Sequence, residues 1–326
     1  MSPSSRPSRR HFLQASSAAA LTAIFTPELL AAAMQSPFKV AVISDEISPD
    51  FDHACSVIAN DFGLQFVELR ALWGKNLMKL DDAEVTKAIA ILDKYKLRVT
   101  DIASPLFKTD WPGASTSKYS PKNDNFGAAF HYKEQDEVLE KSIALARQFK
   151  TDRIRCFDFW RLEDQAPYRR DINTKLFEAA QVAGKQGMIL VLENEYECNT
   201  ATGRESAQTL AALQTPHLML NWDPGNAVAR GELDAFPEGF ALIPSARIGH
   251  CHVKCAVSKP GTKSGFEWAA VGQGLPDWVA QFKALKQSGY RDAVSLETHW
   301  NGGGTPEASS RTSWAGMKEA LQKSNA

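Results

Sequence analysis

The sequence predicts a single (β/α)8 TIM barrel of the α/β class, on three observations. Eight short runs rich in β-branched residues recur along the chain, each followed by a helical pattern or by a loop and a helix. The turn after the first run, Ser44-Asp45-Glu46-Ile47-Ser48, has no glycine, whereas an open doubly wound sheet usually carries a Gly-rich phosphate turn there. Eight such units over about 285 residues also suit the length of a closed barrel.

Taken in order, residues 1–34 stand apart from the barrel. Arg9-Arg10 precede Phe12-Leu13, a short Ser- and Ala-rich apolar stretch follows, and Ala31-Ala32-Ala33 closes it. The segment resembles a bacterial twin-arginine export signal, which implies cleavage near Ala33, a more acidic mature chain, and a periplasmic or secreted location. That route exports folded proteins, a hint of a cofactor or metal inserted before export. The barrel domain is expected over 35–326.

The strand candidates are 39–43, 65–69, 97–102, 152–157, 188–193, 218–223, 246–253 and 292–297. Helical periodicity fills 81–95, 132–149, 172–185 and 276–287, with Gly187 and Gly289 placed as helix stops before the next strand. The third connection, 104–131, holds Pro105, Trp111, Pro112, Gly113 and Pro121, and its length predicts a lid or binding element.

Composition narrows the function. Of 326 residues, 44% are hydrophobic and 23% charged, which excludes disorder throughout. Thirty-seven basic against 38 acidic residues leave a formal charge of −1, with no basic block beyond the first ten residues, so nucleic acid is not an expected partner. No apolar run reaches the roughly 18 residues of a bilayer span. The odd set of five cysteines (Cys55, Cys156, Cys198, Cys251, Cys255) lacks a second pair at zinc-finger spacing, so buried, inert thiols are predicted.

A closed barrel carries its active site at the C-terminal ends of the strands, so polar residues closing apolar strands are the candidates. Strand five ends in Glu193, strand six in Asp223 and strand eight in Glu297, while strand seven carries His250 and His252 near its end. Alternation puts His250, His252 and Lys254 on one face and Cys251, Val253 and Cys255 on the other. A lone carboxylate at a strand end often only caps the next helix. Three converging on one point would repel unless a cation neutralised them. Two Glu, one Asp and one His suit Mn2+, and also Co2+ or Mg2+, better than a thiolate-held structural zinc, although Zn2+ stays open.

The segments Leu192-Glu193-Asn194, Asp223-Pro224-Gly225-Asn226, His250-Cys251-His252-Val253-Lys254, Val271-Gly272-Gln273-Gly274 and Ser295-Leu296-Glu297 together resemble the metal-binding signature of the sugar phosphate isomerase/epimerase family of xylose isomerase-like barrels. The resemblance implies one divalent metal held by Glu193, Asp223, His252 and Glu297, with Glu193 and Glu297 also serving as acid and base beside the substrate. Glu195, Asn226, His250, Lys254, Arg155 and Trp300, at or just past strand ends, are then expected to bind hydroxyls or stack on a sugar face. Glu68 and Arg70, alternating on strand two, are expected to pair with each other. Two positions depart from the family pattern: Cys255 replaces a common acidic residue, and Gln273 replaces a usual Glu. Both bear on substrate orientation.

The expected activity is a secreted, metal-dependent isomerase or epimerase. Its partner is a small carbohydrate (a free sugar, keto-sugar or glycoside), reached by proton transfer next to a carbonyl through an enediolate. A lyase or hydrolase acting on a 3-keto-glycoside is the alternative, sharing the same C2 deprotonation. A two-lobed sugar-binding protein would need no acid–base pair, and an abasic-site endonuclease would need more histidines and a basic surface. An amidohydrolase would place its His-x-His pair on strand one. A homo-oligomer is left open.

Overall fold

The structure, a computed structural model, describes residues 36–120 and 129–325. The twin-arginine segment 1–34, the cleavage position near Ala33, the start of the expected domain at 35, and Pro121 lie outside the described residues.

Eight parallel strands form one sheet: β1 (Lys39–Val42), β2 (Phe66–Leu69), β3 (Arg98–Leu106), β4 (Arg153–Cys156), β5 (Ile189–Glu193), β6 (Leu218–Trp222), β7 (Ile248–Val253) and β8 (Ala293–Leu296). β1 pairs with β8, and the sheet then runs through β7, β6, β5, β4 and β3 to β2. A parallel bridge from Ile43 to Glu68 draws β1 and β2 together and closes the barrel. The predicted TIM barrel, in a single domain, is what forms. β3 continues four residues past its expected end, into the segment read as loop. There the Ser104 hydroxyl donates to the Arg155 carbonyl at 2.6 Å, so β3 stays tied to β4 beside Pro105, which has no N–H to give.

Each strand is followed by a helix: α1 (Phe51–Ser56), α2 (Asp82–Tyr95), α3 (Gln135–Gln148), α4 (Arg169–Lys185), α5 (Gly203–Ala212), α6 (Pro224–Ala229), α7 (Trp278–Gln287) and α8 (Pro306–Lys323). Local chemistry starts them. Asp81 with Glu84 and Thr202 with Glu205 form capping boxes at α2 and α5, while Asp277 and Thr305 cap α7 and α8. Gly187 (φ 78°) and Gly289 (φ 82°) follow the ends of α4 and α7, as expected of glycine stops. Among the described residues no helix is long and apolar enough to cross a membrane.

The outward face of the strands feeds the apolar layer beneath the helices, through Leu190, Leu192, Leu218, Leu220, Trp222, Ile248, Cys251, Val253, Val294 and Leu296. All five cysteines are buried and free, and burial pushes the thiols up, which suits inert packing groups.

One irregularity sets the phase of β7. Leu220 of β6 lies opposite Ile248, but the next residue, Asn221, lies opposite His250. Gly249 is therefore an extra residue, a bulge. It lets Ile248 face out while His250 and His252 face in. Glycine is required by the packing: a Cβ there would come 2.8 Å from Met219 Cβ and 3.1 Å from Val191 Cγ1. Its carbonyl accepts from Arg153 Nε at 3.4 Å.

Candidate metal centre

At the C-terminal end of the barrel, Glu193, Asp223, His252 and Glu297 meet. One ligand-type atom from each lies within 4.8 Å of the others, and all four residues are buried. His252 Nδ1 stands 3.1 Å from Glu297 Oε2, 3.3 Å from Glu193 Oε1 and 3.7 Å from Asp223 Oδ2. It is a fully buried nitrogen with no hydrogen-bond partner among the described residues. An unpaired imidazole nitrogen facing three carboxylate oxygens is a donor set for a divalent cation. The residues present thus fit the implied ion.

The local reason for each position is visible in its other contacts. Asp223 does both things a strand-end carboxylate can do: Oδ1 accepts from the Asn226 N–H at 2.8 Å and caps α6, while Oδ2 turns to the cluster. Its backbone is held by Asn194, which accepts from the Asp223 N–H and donates to its carbonyl, both at 2.7 Å. Glu193 accepts from Asn226 Nδ2 at 3.0 Å on Oε1 and from Arg155 Nη1 at 3.1 Å on Oε2. Glu297 splits in the same way, with Oε2 2.6 Å from Lys254 Nζ and Oε1 2.9 Å from Arg70 Nη1.

Lys254 also lies 2.8 Å from Asp223 Oδ2, so it neutralises two of the three clustered carboxylates. Burial alone would raise Glu193 and Glu297. His252 and Arg155 beside the first, and Lys254, His299 and His252 beside the second, outweigh it and hold both below the usual carboxylate range. Burial likewise opposes the charged forms of His252 and Lys254, and the surrounding carboxylates overcome it, raising both.

Inside the barrel, on the side of the cluster facing β2, Glu68 Oε1 lies 3.0 Å from His252 Nε2 and Glu68 Oε2 lies 3.6 Å from His250 Nε2. Asn221 spans the two rings, 3.1 Å from His250 Nδ1 and 3.1 Å from His252 Nε2. Burial pushes His250 down to about 4, so its ring is neutral. Glu68 is pulled to about 2, the charge and hydrogen bond of His252 foremost in outweighing burial. Asp101 on β3 is fully buried, with neither carboxylate oxygen hydrogen-bonded among the described residues. Burial, reinforced by Glu68, pushes its carboxyl well up.

The cluster opens on a cavity of about 650 Å3. Of the six residues expected to reach a substrate, Arg155, Glu195 and Trp300 line it. His250, Asn226 and Lys254 do not: each is completely or almost completely buried, with His250 Nδ1 on Asn221, Asn226 Nδ2 on Glu193 and Lys254 Nζ on the cluster carboxylates. The expected pairing of Glu68 with Arg70 does not form. Glu68 faces the histidines, whereas Arg70 reaches Asp45 at 2.8 Å, Glu46 at 2.7 Å and Glu297. Gln273 and Cys255 lie off the cavity wall, Gln273 beside α8 and Cys255 in the hairpin of Cys255–Ser258 with Phe266–Ala269. The long third connection contributes Lys108, Thr109, Asp110, Ala129, Phe130 and His131 to the wall.

Sequence reasoning gave Glu46, Arg70, Lys108, Asp101 and His299 no part in the site. His299 shares the inward parity of Glu297, and that parity was the available signal; its Nδ1 lies 3.1 Å from Glu46 Oε1.

A family model described as Xylose isomerase-like TIM barrel matches residues 57–320. Among solved structures, a 3-keto-D-glucoside 4-epimerase from E. coli is similar with a TM-score of 0.60 at 15% identity, over 87% of this chain and 100% of that one. A probable 3-DHS dehydratase from Bacillus anthracis gives 0.60 at 17% identity, over 86% and 97%. A xylose isomerase-like TIM barrel protein from Mycobacterium smegmatis, in complex with magnesium, gives 0.61 at 13%, over 90% and 99%. Such identities speak for the fold alone. No curated protein matches.

Proposed function

Because the chain belongs to the xylose isomerase-like TIM barrel family, we propose that it is a metal-dependent sugar isomerase or epimerase that moves a proton next to a carbonyl. The observation that carries this reading is the pair of buried carboxylates, Glu193 and Glu297, brought to within 3.3 Å and 3.1 Å of one imidazole nitrogen and held ionised by the cations around them. A carbon acid needs a positioned base and a partner that returns the proton.

In this reading Glu297, on the cavity wall, takes the proton, and Glu193 serves as the opposite member of the pair. Arg70 and Arg155 hold the outer oxygens of the two carboxylates, so each is presented in one orientation. A divalent cation held by Glu193, Asp223, His252 and Glu297, Mn2+ by preference and Co2+, Mg2+ or Zn2+ otherwise, would supply Lewis-acid polarisation of the carbonyl and its neighbouring hydroxyl. Arg155, Glu195 and Trp300 contact the sugar from the wall. His250, Asn226 and Lys254 act through the cluster they brace.

The test is solvent-deuterium incorporation next to the carbonyl of a ketose panel, with products identified. Exchange should vanish on chelation and return with Mn2+ or Co2+; a fully active metal-free preparation would refute the site. Recovery of an isomer supports epimerisation, and release of an aglycone would turn the reading to the 3-keto-glycoside lyase. Export by the twin-arginine route is part of the same proposal, supported by Arg9-Arg10 ahead of Phe12-Leu13. Cell fractionation of the wild type against an Arg9→Lys, Arg10→Lys variant checks it.

A further inference from the structure

We propose that the site takes an uncharged glycoside, a sugar whose reacting ring is joined to a second ring, in preference to a lone hexose or a sugar phosphate. This rests on the carbohydrate reading above and names its substrate class.

Space is the first argument. The cavity of about 650 Å3 corresponds to roughly 22 water volumes at ~30 Å3 each. A hexose has 12 heavy atoms and a disaccharide 23, so a single ring leaves much of the cavity to water.

The division of the wall is the second. One part is a charged network built on Arg70, Glu297, Arg155 and Glu195, suited to a ring bearing hydroxyls and a carbonyl. Another is aromatic, with half-buried Trp160, Trp300 and Phe130. Two of these rings have close neighbours. Gly302 packs so closely on the Trp300 indole that a Cβ would sit 2.4 Å from Cζ2. Trp160 is held by a backbone bridge to Cys198 and carries Lys108 Nζ 5.4 Å from its ring centroid. Such an aromatic face binds an apolar sugar face.

Charge is the third. The three lysine and arginine side chains on the described wall are each engaged by carboxylates: Arg70 by Asp45, Glu46 and Glu297, Lys108 by Glu195 at 2.9 Å, and Arg155 by Glu193. A phosphate group would have to displace one of these carboxylates while facing Asp110 and the others.

Metal-loaded protein should be titrated with D-fructose, D-fructose 6-phosphate, and the ketodisaccharides lactulose and isomaltulose, binding being followed by calorimetry. The better disaccharide should bind at least tenfold tighter than D-fructose. Joint Trp160→Ala and Trp300→Ala substitution should cut that advantage below threefold, and Trp300→Phe alone should preserve it. Equal affinity for D-fructose and both disaccharides, an advantage that survives loss of both indoles, or tighter binding of the phosphate would overturn the inference and leave the enzyme reading standing. Binding of none of the four would refute the carbohydrate reading itself.

Discussion

The two halves of the barrel contribute unlike things to one site. Strands β5 to β8 each deliver one member of the cluster, Glu193, Asp223, His252 and Glu297, at or just past their ends. The half from β1 to β4 delivers none of the four. It supplies what holds them: Arg155 from β4 on Glu193, Glu68 from β2 on His252, and Arg70, just past β2, on Glu297. The difference teaches that the acidic cluster is only half a design. Three carboxylates can share a dry pocket because Arg155 and Arg70, from the other half, neutralise the outer oxygens of Glu193 and Glu297, while Lys254 neutralises the cluster-facing oxygens of Asp223 and Glu297.

The comparison can be broken most decisively on the late half. Glu297→Gln should lower turnover by about 10²–10⁴-fold, the usual worth of a positioned acid–base group, with circular dichroism unchanged. Unaltered turnover would remove Glu297 from the chemistry. On the early half, Arg155→Met strands a buried carboxylate and should cost about 3 kcal/mol of stability, read by urea unfolding of the metal-free protein. A cost near zero would mean that the two halves are not coupled through this pair.

Glu68→Gln sharpens the division further, because it leaves every proposed ligand in place. Metal affinity, read by competition with a chromogenic chelator, should fall about 10–100-fold as the support of the His252 ring is lost, with little change in melting temperature. Undiminished affinity would count against a positioning role.

The smallest effect concerns Asp101. Burial pushes its carboxyl well up, so the folded protein keeps a proton that the unfolded chain has already released. Stability is therefore lost as pH rises from the ordinary carboxylate range toward that raised value. Asp101→Asn should escape this loss, melting a few degrees higher at about pH 7 and converging with the wild type near pH 4. A gap that stays constant across that range would refute the assignment.

The same asymmetry explains what could be read from the chain. Glu193, Asp223 and Glu297 stand out because each closes an apolar strand, and alternation along β7 then selects the histidine face. Glu68 and Arg70 carry no such mark. A glutamate and an arginine two apart on a short strand suggest each other, and only the closure of β1 on β2 directs Glu68 inward to the histidines. Lys254 was legible as inward-facing, but its 2.6 Å contact with Glu297 depends on the approach of β7 to β8. The extension of β3 through Ser104 and Pro105 was hidden for a related reason. A proline reads as loop, and the carbonyl that accepts the Ser104 hydroxyl and keeps the strand attached belongs to the neighbouring strand.

The extra residue at Gly249 has a consequence for inheritance as well as for packing. The stretches on either side of it are each in register, so loss of that one codon would leave plain alternation, Ile248 out and both imidazoles still in, whereas a codon change that put a side chain there would drive it into Met219 and Val191. What descent has to keep at that place is thus a missing side chain rather than a residue count, a demand that the signature letters beside it do not spell out.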